Sequence, residues 1–134
     1  MIKNLNNLTK SSLRKNALEI IESGLRAIET KKAIQENIKF ESETLFIKNH
    51  SFSLKEFKRI FVISIGKCAT ESSLSLEKVL GDRITSGIAV DICVPPNLKK
   101  IKFIKGTHPF PSEKNKKAAN EIIKLLKKTK ERMV

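Results

Sequence analysis

The residues with the clearest chemical potential are Gly66 and Lys67, where the run Arg59-Ile-Phe-Val-Ile-Ser-Ile stops and a helix-like stretch begins. A strand that ends in Gly-Lys and turns into a helix places backbone N–H groups and one ammonium at the carboxyl edge of a sheet, a common seat for anionic ligands. Lys67 falls in the first turn of that helix, where a cation opposes the positive end of the macrodipole. An anion such as phosphate or a carboxylate bound between the ammonium and the helix N-terminus reverses that penalty. A solvated loop lysine is the other reading, and the residues alone leave both open.

Neither standard nucleotide motif fits. A P-loop requires glycine five positions before Gly66 and a hydroxyl residue after Lys67, but these positions hold Phe61 and Cys68. A dinucleotide fingerprint requires three glycines, and one is present. Cys68 has the helix N-terminus and lysine that activate a thiolate, without an evident base in the chain nearby, so a packed side chain is the simpler role. His108 precedes Pro109 and is thereby held extended on a loop. His50 lacks a partner at metal-ligand spacing, which argues against zinc.

Around these residues the chain predicts an α/β fold. Leu13, Ala17, Ile20, Ile21, Leu25 and Ile28 recur at helical spacing, giving a helix over about 8–29 capped by Thr9 or Ser11. Thr30 opens a second, short helix, and 41–49 alternates as an edge strand. Residues 50–58 are expected to turn into the strand at 59–65, which is apolar on both faces, as in a parallel sheet covered by helices. A helix over 68–80 ends at Gly81, and a strand over 87–94 ends at Pro95-Pro96, making a right-handed βαβ unit. A third strand, 101–105, leads through the His108 loop to a helix capped by Ser112. The organisation expected is a single domain over 1–134: a helical segment over about 8–38, a βαβ core over about 59–94, and a strand-loop-helix over about 101–130. Another strand is the natural continuation, so one sheet edge is expected to await a partner.

The 134 residues fit one domain. No apolar run approaches the roughly 20 residues of a membrane helix, and the N-terminus lacks the apolar core of a secretory signal. The expectation is a cytoplasmic protein with no membrane association. Cys68 and Cys93 are read as reduced thiols. The net charge of +13, from 27 Lys and Arg against 14 Asp and Glu, favours anionic partners. Only Arg14, Arg26, Arg59, Arg83 and Arg132 are arginine, there is no Trp or Tyr, and the lysines are spread over every segment. Nucleic-acid readers rely on arginine forks and aromatic platforms, so nucleic acid is disfavoured as partner.

Three stretches taken together, Arg59-Ile-Phe-Val-Ile-Ser-Ile-Gly-Lys-Cys-Ala, Leu80-Gly-Asp-Arg-Ile-Thr-Ser-Gly-Ile-Ala-Val and Gly106-Thr-His-Pro-Phe-Pro-Ser-Glu, resemble in order and spacing the N-terminal part of the glycerate 2-kinase family (MOFRL or DUF4147 type). The family shows a Gly-Ala-Gly-Lys-Ala-like turn, a Gly-Asp-Arg-Ile-Thr-Gly-Gly link and a Gly-x-His-Pro-x-Pro-Asp loop. The resemblance implies a three-layer Rossmann-like domain with a mostly parallel sheet, incomplete relative to the family. It also implies ATP- and Mg2+-dependent phosphorylation of the C2 hydroxyl of D-glycerate. Lys67 matches the family's active-site lysine, Gly66 the glycine before it, and His108 and Pro109 the loop motif, as substrate- or phosphate-binding residues. Ser64, Cys68 and Ser112 depart from the pattern. Family members continue into a further phosphate-handling loop and a second domain. This chain is therefore expected to be a truncated or split piece, inactive alone, with a separately encoded C-terminal piece as a conceivable partner. The alternative is a basic nucleic-acid- or partner-binding domain that has lost catalysis.

Overall fold

A computed structural model describes residues 2–129. It contains five α-helices and six strands among those residues, in an α/β arrangement whose centre is a parallel sheet. Helices α1 (Leu5–Leu8), α2 (Ser12–Ala27) and α3 (Thr30–Asn37) come first, followed by a meander of β1 (Ile38–Glu41), β2 (Thr44–Ile47) and β3 (His50–Ser53). The second half runs β4 (Ile60–Ile65), α4 (Ala69–Leu80), a 3-10 turn at Gly81–Arg83, β5 (Ile84–Asp91), β6 (Ile101–Lys105) and α5 (Glu113–Lys127).

The strands form two separate sheets, an antiparallel β1-β2-β3 and a parallel β4-β5-β6. The sequence reading is corrected here. The segment 41–49 is not an edge strand of the main sheet but the centre of a small sheet of its own, and the expected turn after His50 is instead β3. Its tight turns use Ser42, Glu43 and Lys48, all at positive φ, where a side chain is tolerated only at a small cost. Arg83 fastens this meander to the main body, donating to the carbonyls of Leu54 (2.7 Å) and Phe57 (2.8 Å) and pairing with Glu43 at 2.9 Å.

Helix starts follow their capping chemistry. Ser11, one of the two caps expected, accepts the Arg14 N–H at 3.4 Å and opens α2 at Ser12, later than the position of about 8 expected for the helix start. Ser112 opens α5 in a capping box whose reciprocal residue is Asn115 instead of the usual Glu or Gln. Gly81, at φ 51°, ends α4.

The two faces of the parallel sheet bury different clusters. On the α4 side Val62, Leu80, Ile84, Ala89 and Ile101 form the core, with Phe40 and Leu45 of the meander packed on it. On the other side Ile88 and Val90 meet Ala118, Ile122 and Leu125 of α5. Gly87 lets the strands approach: a Cβ there would lie 2.5 Å from the Val62 carbonyl oxygen and 2.9 Å from the Ile101 side chain. The loop before β6 is tied to α4 by Glu77, whose carboxylate accepts the N–H groups of Lys99, Lys100 and Ile101 at 2.7–3.0 Å. The apolar face of α2 is left uncovered, with Leu13, Ile20 and Ile28 74–81% exposed. Among the described residues no helix is long and apolar enough to cross a membrane.

Candidate functional site

The carboxyl ends of β4, β5 and β6 converge on one cleft of about 190 Å³ lined by Gly66, Lys67, Asp91, Thr107, His108 and Asn115, with Ile65, Val90, Gly106 and Ile92 completing the wall. Three of the four residues nominated from sequence, Gly66, Lys67 and His108, thus meet here although more than forty positions separate the turn from the loop. Pro109, joined to His108 by a cis peptide bond, does not line the cleft.

At the end of β4 the backbone turns at Gly66, whose φ of 116° suits glycine. The Gly66 N–H donates to the Val90 carbonyl (3.0 Å) and its own carbonyl accepts the Ala69 N–H (2.9 Å), a closed turn that leads directly into α4. Lys67 stands exposed on that turn and has no ion-pair partner among the described residues.

The acidic member of the cleft is Asp91, the last residue of β5 and only 4% exposed. One carboxylate oxygen accepts the Thr70 N–H at 3.0 Å in the first turn of α4, and the other accepts the Ile92 N–H at 2.7 Å. Its carbonyl accepts the Gly106 N–H at 2.8 Å, where β6 ends. Burial pushes its carboxyl up, but hydrogen bonds from the N–H and hydroxyl of Thr70, the Ile92 N–H and the Cys93 thiol outweigh this and hold it below the usual carboxylate range. An N–H of α4 that could have met an external anion therefore already faces a carboxylate from the neighbouring strand.

Asn115 organises the opposite wall. Its side-chain oxygen accepts from the Thr107 N–H (3.1 Å), the Thr107 hydroxyl (2.7 Å) and the Ser112 N–H (3.1 Å), while its amide donates to the Thr107 carbonyl (3.2 Å). The Phe110 carbonyl lies 2.8 Å from the Thr107 hydroxyl and competes with Asn115 for its single proton. The loop that presents His108 is thus pinned at both ends to the start of α5.

Sequence reasoning missed Asp91 and Asn115. An acid closing an otherwise apolar strand was a visible signal for Asp91, while Asn115 stands among polar helix residues with nothing to mark it.

Chemically the cleft offers one ammonium without an ion-pair partner among the described residues and an imidazole, a set suited to a small anion. Its volume lies below the ~300–1,000 Å³ of sites that bury a drug-sized ligand, so it admits a phosphoryl group or a three-carbon acid and not a whole nucleotide. Magnesium needs several oxygen ligands. Among the described residues no group of three His, Cys, Asp or Glu could hold a metal, and both oxygens of Asp91 already accept N–H groups. The metal implied by resemblance does not fit these residues by themselves. At the other end of the sheet a cleft of about 430 Å³ is lined by Lys102, Lys124, Lys127 and Lys128 with Glu121 among them, and Glu121 pairs with Lys102 (3.0 Å) and Lys124 (3.2 Å).

Comparison with known proteins supplies the context. The family model described as a domain of unknown function (DUF4147) matches residues 16–134. A protein of Pyrococcus horikoshii named glycerate 2-kinase is 27% identical over 120 residues, covering 89% of this chain and 26% of its own length. A Picrophilus torridus protein of the same name is 29% identical over 120 residues, covering 84% of this chain and 25% of its own length. The crystal structure of the PH0495 protein from Pyrococcus horikoshii OT3 superposes with a TM-score of 0.74 at 26% identity, over 87% of this chain and 26% of that one. The chain spans about a quarter of the length of the relatives it matches. The resemblance seen in the three motifs and the α/β class expected from sequence are both borne out.

Proposed function

Because this chain belongs to the DUF4147 family, we propose that it forms the lysine-bearing wall of a glycerate 2-kinase-like active site, one that phosphorylates the C2 hydroxyl of D-glycerate at the expense of ATP. The observation that carries this reading is the meeting of Gly66, Lys67 and His108 in one cleft at the carboxyl end of a parallel sheet, where α/β proteins hold their ligands. Two relatives named glycerate 2-kinase support the choice of reaction.

In this reading Lys67 is the catalytic residue. Its ammonium lies free at the rim and meets the negative charge that develops on the transferred phosphoryl group, in a position fixed before the reaction by the Gly66 turn. His108 is held over the same space by the loop containing Pro109 and binds the acid or the phosphoryl oxygens. Asp91 does not act as a base, since its proton affinity is low and both its oxygens are committed. It keeps the β4–α4 turn in register with β5.

The cleft is too small for a nucleotide and its donors do not make a magnesium site, so both belong to the part of the family fold that this chain does not span. The 134-residue chain is accordingly inactive by itself. A coupled assay with D-glycerate and Mg-ATP tests this: no turnover is expected from the purified chain, and turnover would overturn the assignment of the nucleotide site elsewhere. Binding of D-glycerate or inorganic phosphate, followed by shifts of the Gly66, Lys67 and His108 amide resonances, is expected even so. Absence of any shift at these three would remove the cleft from consideration.

A further inference from the structure

We propose that the lysine-lined cleft at the amino end of the parallel sheet is a second anion site, separate from the Lys67 cleft, and that its ligand is a linear oligophosphate. The proposal stands on that cleft and does not depend on the reaction assigned to Lys67.

The cleft opens between α5 and the starts of β5 and β6, where its walls include Ser86, Lys102, Glu121, Lys124, Lys127 and Lys128. Lys102 stands opposite Ile88 in the ladder, so it faces the α5 layer, in keeping with its bond to Glu121 of that helix. Further along the same face the sheet presents Ile88, Val90 and Ile104 to α5. A strand covered by a helix ordinarily stays apolar on that face. Here β6 places an ammonium on it, and β5 a serine whose hydroxyl has no hydrogen-bond partner among the described residues. Lysines at the end of a helix complement its dipole, which accounts for Lys124 and Lys127 in the last turn of α5. It does not account for Lys102, which comes from the sheet.

The balance of charge selects the ligand. Glu121 accepts from Lys102 at 3.0 Å and from Lys124 at 3.2 Å, and these two ammoniums hold its carboxyl below the usual carboxylate range. Lys127 and Lys128 have no ion-pair partner among the described residues. Four lysines against one glutamate leave the cleft a net charge of +3. One carboxylate or one phosphate leaves most of that charge unmatched, whereas a chain of linked phosphates both matches and spans it. The volume of about 430 Å³ lies within the range of small-molecule sites and is more than twice the 190 Å³ at Lys67. Exposed Lys–Glu pairs contribute little, so a polyanion can take both ammoniums from Glu121. Among the described residues that line the cleft there is no aromatic ring and no arginine, which removes the stacking and forked contacts that hold nucleic acids and nucleotide bases. The two clefts are distinct: along β5, from Ser86 to Asp91, they are separated by about 16 Å at ~3.3 Å per residue.

The test follows the amide resonances of the 134-residue chain during titration with tripolyphosphate, without divalent cations and at about 0.15 M salt. Saturable binding is expected, with shifts centred on Ser86, Lys102, Lys124 and Lys128, and with affinity about tenfold or more above that of orthophosphate at the same residues. Lys102→Gln is expected to weaken it by about tenfold. Lys39→Gln, which removes the same charge from the antiparallel meander, is expected to leave it unchanged. Glu121→Gln is expected to tighten it by about three- to tenfold, since it frees two ammoniums and removes the competing charge. Misfolding cannot imitate that gain. Equal or weaker binding by Glu121→Gln would overturn the proposal, as would shifts confined to Gly66, Lys67 and His108, or shifts spread evenly over the lysines of every segment. Adenosine triphosphate carries the same phosphate chain on an organic body and is expected to bind this cleft no more tightly; tighter binding would assign the site to a nucleotide and overturn the proposal. Single-stranded RNA that outcompetes tripolyphosphate on this face overturns it too.

Discussion

The carboxylate of Asp91 meets the backbone N–H of Thr70 at 3.0 Å, so the first turn of α4 ends on a charge that belongs to β5. This bond joins the lysine-bearing turn to the neighbouring strand, and it decides which anions the cleft can accept. A ligand phosphate must be met by Lys67 and the His108 loop, since the Thr70 N–H is already taken.

Replacing Asp91 by Ala leaves the Thr70 and Ile92 N–H groups without their acceptor. A loss of about 1–3 kcal/mol is expected in urea unfolding, the penalty for buried donors without a partner. Asp91→Asn is expected to fall between the two, because its amide oxygen keeps one of the bonds.

The same residue sets an acid limb. Its folded pKa lies below the ordinary carboxylate value, so its stabilisation is present in full above the unfolded value of about 3.9 and is lost as pH falls through the folded one. The stability gap between wild type and Asp91→Asn is expected to be constant from pH 5 to 7 and to shrink below about pH 4. A gap that does not vary with pH would show that the carboxylate is not the stabilising species.

Lys67→Ala separates function from folding. With no partner to lose, its stability is expected to stay within about 0.5 kcal/mol of wild type. In an active enzyme that contains this chain, D-glycerate turnover is expected to fall by about 10²–10³, the usual effect of removing one charge-stabilising donor. Equal kcat in wild type and variant would take Lys67 out of the chemistry.

Asn115→Ala is expected to release the loop from Gly106 to Ser112. The Thr107 and Ser112 N–H groups lose their acceptor, hydrogen exchange at both should accelerate, and unfolding stability should drop by about 0.5–2 kcal/mol as for a lost helix cap. Phosphate-induced shifts at His108 should weaken while those at Lys67 persist.

Gly87→Ala probes the strand contact. The added methyl meets the Val62 carbonyl at 2.5 Å, and that carbonyl is backbone that cannot swing aside. A destabilisation of about 1–3 kcal/mol is expected from chemical denaturation.

The second half of the chain was legible because its signals are local and strong. Ile60–Ile65 is apolar on both faces, Gly81 and Ser112 mark helix ends, and Gly66-Lys67 breaks the pattern where chemistry could sit. The meander was not legible for a physical reason. Its turns are Ser42-Glu43 and Lys48-Asn49, with no glycine in either and Asn49 the one residue of turn type, and β3 is exposed throughout, so no alternation was imposed on it. Within the site, Lys67 and His108 could be nominated individually. The roles of Asp91 and Asn115 depend on which strand ends and loop lie side by side, and that is settled by the sheet order.

The bare apolar face of α2 has a consequence for how the molecule comes apart. A helix of 16 residues whose Leu13 and Ile20, with Ile28 at its C-cap, reach neither buried cluster is held by its Ser11 cap, the pairs Lys15–Glu19 and Arg26–Glu22, and the Ile2 N–H that Glu22 accepts at 2.8 Å. Such contributions are small beside tertiary packing. Helix α2 is therefore expected to open at low cost without disturbing the parallel sheet. The platform bearing Lys67 outlasts the melting of the helix that precedes it.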